Sequence, residues 1–272
     1  MSTLTIAWIG LPFFIRFIIY LFPKLDKYLA LFGAIVSAAF ALQLFTLSSP
    51  VTLELLNHFG VTLAVDQLSG YFILTNALVT AAVILYCWGS DKKAFFYAQT
   101  IIVHGSLNAA FAGTDFISLY VALEVSGIAA FLLIAYPRTD RSIWVALRYL
   151  FVSNTSMLFY LVGAVLVYKA SHSFSFAGLS QAPPEAIALI FVGLLVKGGV
   201  FVSGLWLPLT HSEAETPVSA LLSGIVVKAG VYPLVRCALM VEEAIPLSAF
   251  LGSGRRSWAS SMLCLKKIAS GC

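Results

Sequence analysis

The sequence predicts an all-α, polytopic transmembrane helical bundle of about eight spans with a broken seventh helix. Three observations carry that reading. Of 272 residues, 60% are hydrophobic and only 10% charged, whereas a soluble domain needs roughly a quarter charged residues to cover its surface. The mean hydropathy is +0.96. The apolar residues come in blocks of a length that crosses a hydrocarbon core of roughly 30 Å at about 1.5 Å per residue.

Helix is the spanning form, because a helix satisfies its own backbone groups in hydrocarbon and the alternation of barrel strands is absent. The spans fall at 4–22, 28–47, 70–88, 94–112, 115–136, 144–168, 186–204 and 217–241. "MSTLTIAWIG" lacks a positive leader and reads as part of a first span, not a removed signal. The 48–69 connection alternates weakly and predicts an external hairpin, and 169–185 is a Ser/Ala/Pro-rich loop. In the polar connection "LWLPLTHSEAETP", Pro208 lacks a backbone donor and is expected to end or break span seven. Three units follow: 1–92 with helices one to three, 93–241 with helices four to eight, and a 242–272 tail. The tail is either an incomplete ninth span starting near Ala244 or a foreign or truncated end.

Basic residues in the loops orient the bundle. Lys24 and Lys27 follow span one, Lys92 and Lys93 span three, and Arg138 and Arg141 span five; the loops after spans two and four carry no Lys or Arg. The protein is expected to be multi-pass in a bacterial plasma or energy-transducing membrane, and this alternation predicts a non-cytoplasmic N-terminus, Lys169 being the exception. The net charge of +4 is then topology charge in contact with a lipid bilayer, and no nucleic-acid partner is expected. Cys87, Cys237, Cys264 and Cys272 have no metal-ligand spacing, and the chain has no dinucleotide or flavin fingerprint. No cofactor and no metal are therefore expected in this chain.

Chemistry is expected where charge enters the apolar blocks. Glu124 lies near the middle of span five, Lys197 of span seven and Lys228 of span eight. A charge at the bilayer centre costs roughly 2.5–3.5 kcal/mol on insertion scales, and from mid-span a side chain does not snorkel to either surface. These groups should face other helices, a carboxylate or water. Gly198 and Gly199 follow the first lysine, Ala229 and Gly230 the second, and small residues allow close approach or leave room for water. A lysine that gains and loses Glu124 as its partner would load and release a proton. The alternative is a structural ion pair; a second mid-membrane lysine without a second carboxylate in a span favours an ion pathway. His104 and Asn108 are four apart on one face of span four, a proton relay or a helix–helix hydrogen bond. His211, Glu213 and Glu215 cluster between the lysine-bearing spans, as a proton entrance or a solvated loop. Arg16 and Arg148 are expected to snorkel, and His58 and His172 carry no role.

At these residues the chain resembles the antiporter-like, proton-conducting membrane subunits shared by respiratory complex I and multisubunit Na+/H+ (Mrp-type) antiporters. "KGGVFVSGLWLPLTHSEAETPVSALLSGIVVKAGVYPLVR", 197–236, carries Lys197, Trp206 to Pro208, His211, Thr216 to Leu221, Lys228, Gly230 to Tyr232 and Arg236 at the family's positions. "LNAAFAGTDFISLYVALEV", 107–125, places Glu124 on the family's essential glutamate. The likeness covers about 95–240. It implies a charged axis through the membrane plane and makes 93–241 the first antiporter-like repeat, without the second. Complex I members usually carry Pro and His in the helix-seven break, where this chain has Val202 and Gly204.

The resemblance implies a proton-translocating subunit of a complex I-like NAD(P)H:quinone oxidoreductase, without a redox site of its own, working with other membrane subunits. One alternative is a component resembling the D-type subunit of a multisubunit cation/proton antiporter, with Na+ as a further ion. Another is a truncated, non-transporting assembly subunit.

Overall fold

The computed structural model describes residues 2–46, 50–54, 61–200 and 206–240. Helix α1 (Ser2–Leu21) is followed by a 3-10 turn at Pro23–Leu25 and by α2 (Asp26–Leu44). The predicted hairpin follows as antiparallel strands β1 (Val51–Glu54) and β2 (Thr62–Val65), with Val51 opposite Val65 and Glu54 opposite Thr62. Then come α3 (Gln67–Tyr86), α4 (Ala94–Ala112), α5 (Phe116–Ile134) and the 32-residue α6 (Asp140–Ser171). Helix α7 (Pro184–Lys197) and the short α8 (Trp206–Glu213) precede α9 (Thr216–Leu221), a π-helical turn (Leu222–Val226) and α10 (Val227–Met240).

Among the described residues, six stretches have the length and apolarity to cross a membrane: Leu4–Leu21, Pro23–Leu44, Gln67–Tyr86, Phe116–Ile134, Asp140–Ser171 and Thr216–Cys237. The other two predicted spans correspond to α4 and α7. Helix α4 packs against α1, α2, α3 and α5, and its residues from Phe96 to Ala112 are buried except Ala109. A central helix can be polar where its polar groups find partners on its neighbours. Helix α6 extends past its predicted end, and Lys169 sits on its last turn rather than in a loop, where a cation suits the helix dipole. Part of the predicted 169–185 loop is a 3-10 helix, Phe176–Gln181.

Helix starts follow local chemistry. Asp66 accepts from Ser69 N and Asp115 from Ser118 N, capping α3 and α5, and Thr139 with Ser142 forms a capping box on α6. Glycines set the closest approaches. A Cβ on Gly105 would lie 2.5 Å from Pro12 Cβ, and one on Gly193 would lie 2.7 Å from Ser156 O. Helix α4 therefore seats the Pro12 ring of α1 directly on its backbone, and α6 and α7 touch backbone to backbone, as small residues permit in membranes.

The two ends of the bundle are tied differently. At one end Lys27 Nζ donates to Trp88 O at 2.7 Å, and Lys93 N to Tyr136 OH at 3.1 Å. The ion pairs Lys92–Glu215, 2.5 Å, and Arg141–Glu213, 2.6 Å, bring the α8–α9 junction to the same end. At the other end the hairpin closes on the α4–α5 and α6–α7 connections. Thr62 N donates to Asp115 Oδ2 at 3.0 Å, Thr114 N to Thr62 O at 3.0 Å, and Phe116 N to Phe174 O at 2.9 Å. Lys27, Lys92, Lys93 and Arg141 thus share one end, the segregation that the charge pattern of the loops requires.

Candidate functional site

The site is built where α7 stops. Its last residue, Lys197, is 3% exposed, and Gly198 and Gly199 follow in a turn, Gly199 at φ +63°, a left-handed conformation that glycine adopts without steric penalty. The helix therefore ends at these glycines and not at Pro208, which lies in the first turn of α8, where no intrahelical donor is needed. Helix α10 packs tightly there: a Cβ on Gly230 would lie 2.4 Å from Gly198 N. Trp206 Nε1 reaches back to Val196 O at 3.1 Å and joins α8 to the end of α7. Val202 and Gly204 lie outside the described residues.

Lys197 projects into the middle of the bundle. Its Nζ donates to Ser153 Oγ on α6 at 2.5 Å. Ser153 is thirteen residues into α6, about 20 Å along the helix axis by helical rise. The lysine is thus deep in the bundle although it ends its own helix. Glu124, on α5, is in electrostatic reach of Lys197, yet no Glu124–Lys197 ion pair within 4.0 Å occurs among the described residues. Glu124 Oε1 is buried without a hydrogen-bond partner. So is the hydroxyl of Tyr149, one turn before Ser153 on α6; its ring packs 5.1 Å from that of Trp206. A buried carboxylate oxygen and a buried phenol left unpaired are costly, and such groups concentrate at working sites.

The other expected residues are placed elsewhere. Lys228, expected to be buried in mid-span, is exposed instead. In the π-helical turn Val227 N reaches Leu222 O, five residues back, and Lys228 Nζ donates to the carbonyl of Ser223. His211 Nδ1 lies 2.7 Å from Ser219 Oγ, and Glu213 is held by Arg141. His104 is fully buried in a polar cluster of α1 to α4. Its Nε2 lies 2.8 Å from Ser37 Oγ and 3.1 Å from Asn108 Nδ2, and its Nδ1 lies 3.2 Å from Thr80 Oγ1. Asn76 Nδ2 donates to His104 O and Asn108 Oδ1, and Trp8 Nε1 to Ser37 Oγ. Arg148 is exposed over the Trp144 ring at 5.8 Å, and Arg16 is exposed. Glu124 and Lys197 are brought together; His104, Lys228 and the His211–Glu213 pair stand apart from them.

Sequence reasoning missed Ser153, Tyr149 and Gly127. Their signal was spacing: Tyr149 and Ser153 are four apart on one face of a mostly apolar helix, and Gly127 is three after Glu124.

A family model described as NADH:quinone oxidoreductase/Mrp antiporter, TM, matches residues 113–253, which include Glu124, Lys197 and Lys228. The chain belongs to this family. Among the family's curated members, the N subunit of the NADH-quinone oxidoreductase of Desulforudis audaxviator is 32% identical over 200 residues, 68% of this chain and 40% of that protein. The D subunit of the Na(+)/H(+) antiporter of Bacillus subtilis is 27% identical over 196 residues, 67% of this chain and 40% of that protein. This chain spans about 40% of the length of these two members. The fold is shared with a chain of the membrane-bound sulfane sulfur reductase, an archaeal respiratory membrane complex, at TM-score 0.79 and 23% identity over 88% of this chain and 54% of that one. It is shared with a chain of the Mrp complex from Dietzia at TM-score 0.77 and 17% identity, covering 87% and 49%.

Proposed function

We propose that this chain is a proton-translocating membrane subunit of a complex I-like NAD(P)H:quinone oxidoreductase, moving protons along a buried glutamate–lysine axis. The observation that carries this is the Glu124–Lys197 arrangement: two ionisable groups on α5 and α7, both packed against α6, in electrostatic reach, without a closed ion pair, and with Glu124 Oε1 unpartnered. A structural lock would close that pair, because an unpaired buried charge is the costly state. A conducting pair must be able to open and close. Lys228 is the onward station toward whatever packs against its exposed face, and His211 with Glu213 is the entrance on the basic end. That end faces the cytoplasm by the charge rule, which puts the N-terminus on the other side. The partners are the other membrane subunits of such an assembly.

The likeness to the antiporter's D subunit in Bacillus subtilis supports a second reading, a component of a cation/proton antiporter. The two differ in driving force. In vesicles containing the assembled complex, proton movement that starts on adding NAD(P)H supports the first, and movement that starts on imposing a Na+ gradient supports the second. In either case Lys197→Ala and Glu124→Gln should abolish transport with assembly intact. Undiminished transport in both variants removes the residues from the path and leaves an assembly role.

A further inference from the structure

We propose that Ser153 and Tyr149 on α6 form a resting station for the Lys197 ammonium, holding it off Glu124, and that Gly127 on α5 keeps open the space through which it swings. This deepens the proton-path reading and rests on it. An ammonium has three donors and no acceptor, and here one of them is committed to Ser153 Oγ at 2.5 Å. The missing side chain of Gly127 marks the shared space. A Cβ there would lie 2.8 Å from Lys197 Nζ, 3.5 Å from Ser153 Oγ and 4.0 Å from Tyr149 OH. Three polar groups from two helices thus converge on one point that any other residue would fill. Tyr149 OH is buried beside it without a hydrogen bond of normal geometry, within reach of the Ser153 hydroxyl, and is placed to accept from a second donor of the ammonium.

The groups facing Lys197 sort into two sides. Helix α5 presents the Glu124 carboxylate, with Tyr120 near it. Helix α6 presents the two neutral hydroxyls. Helix α10 meets this end of α7 through Gly230, its Lys228 being turned outward. A neutral hydroxyl holds an ammonium less firmly than a carboxylate does. The station therefore keeps the lysine near Glu124 without locking it there. Ser153 and Tyr149 are positioning residues: they act through Lys197.

The test uses the assembled complex in vesicles together with infrared spectra of protein carrying ring-labelled tyrosine. The Tyr149 C–O stretch is assigned by its loss in Tyr149→Phe. In Ser153→Ala the ammonium loses its first acceptor and moves onto the Tyr149 hydroxyl, so the Tyr149 band shifts. In the Ser153→Ala, Lys197→Met double variant it does not shift relative to Lys197→Met alone. Transport in Ser153→Ala falls about tenfold, the loss expected from one hydrogen bond to a charged group, and Ser153→Thr, which keeps the hydroxyl, restores it. Should Ser153→Ala fail to assemble, Tyr149→Phe, which keeps the ring against Trp206, should still slow transport severalfold. A Tyr149 band unmoved by Ser153→Ala, or full transport in both α6 variants, overturns the station. If Lys197→Ala and Glu124→Gln leave transport intact while the band still shifts, the station stands and the proton path falls. If those two variants abolish transport and the band is unmoved, the path stands and the station falls.

Discussion

Gly127 shows how much one missing methyl group decides. A Cβ at that position would sit 2.8 Å from the Lys197 ammonium, closer than a methyl and a nitrogen approach without displacement. Gly127→Ala should push the lysine off Ser153 and slow transport by about tenfold, or about 1.4 kcal/mol, within the roughly 1–3 kcal/mol that overpacking costs; proton uptake by vesicles with unchanged complex content would check it. His104 is a contrasting residue. Its ring nitrogens are taken up by Ser37, Asn108 and Thr80, so His104→Ala should leave those partners unsatisfied and destabilise the fold by about 1–3 kcal/mol. Thermal unfolding in detergent would register it, whereas transport per assembled complex should change little. Depth alone marks His104 and Glu124 as notable in the sequence. Only the partners separate a satisfied histidine from an unsatisfied glutamate.

At the scale of elements, the decisive feature is where α7 ends. Proline chemistry pointed to Pro208, but the chain turns at Gly198 and Gly199, the latter at φ +63°. A side chain there meets its own backbone, so Gly199→Ala should cost about 1–2 kcal/mol and lower the unfolding midpoint. The stop leaves Lys197 at the end of its helix yet deep in the bundle, because α6 runs on past it as a 32-residue helix. The π-helical turn at Leu222–Val226 acts on the second lysine. Lys228 bonds to Ser223 O within its own helical stretch, so Lys228→Met should cost little stability while removing the proposed onward station. Unfolding and transport measured on the same preparation would separate those effects. Apolar periodicity does not predict an i to i+5 turn, which depends on how α9 and α10 pack on α3, α4 and α7.

Across the whole molecule, the two ends hold the spans in register. The far end is closed by Arg236 Nη2, which donates to Asp66 Oδ1 at 2.6 Å and Ser69 Oγ at 3.0 Å, while its Nε donates to Tyr232 OH at 2.9 Å. Burial opposes ionisation of Asp66, but the Ser69 N–H and the Arg236 guanidinium outweigh it and hold the carboxyl below its usual range. A depressed folded value means the contribution is whole above the ordinary carboxylate range and is lost as pH falls through the folded value. Acid should therefore lower the unfolding midpoint, and Asp66→Asn should flatten that dependence; a midpoint equally acid-sensitive in the variant would show that the pair is not its source. The sequence by itself determined that the chain is a helical membrane bundle, where most spans begin and end, that a hairpin follows the second span, and where charge enters the apolar blocks. These are local consequences of hydrocarbon, where each segment must satisfy its own backbone and every charge is conspicuous. Only the tertiary structure decided that Lys197 rests on Ser153 beside Glu124 while Lys228 faces outward. Those outcomes depend on the rotation of each helix and on glycine-to-backbone contacts between segments distant in the chain, which no single segment's composition encodes.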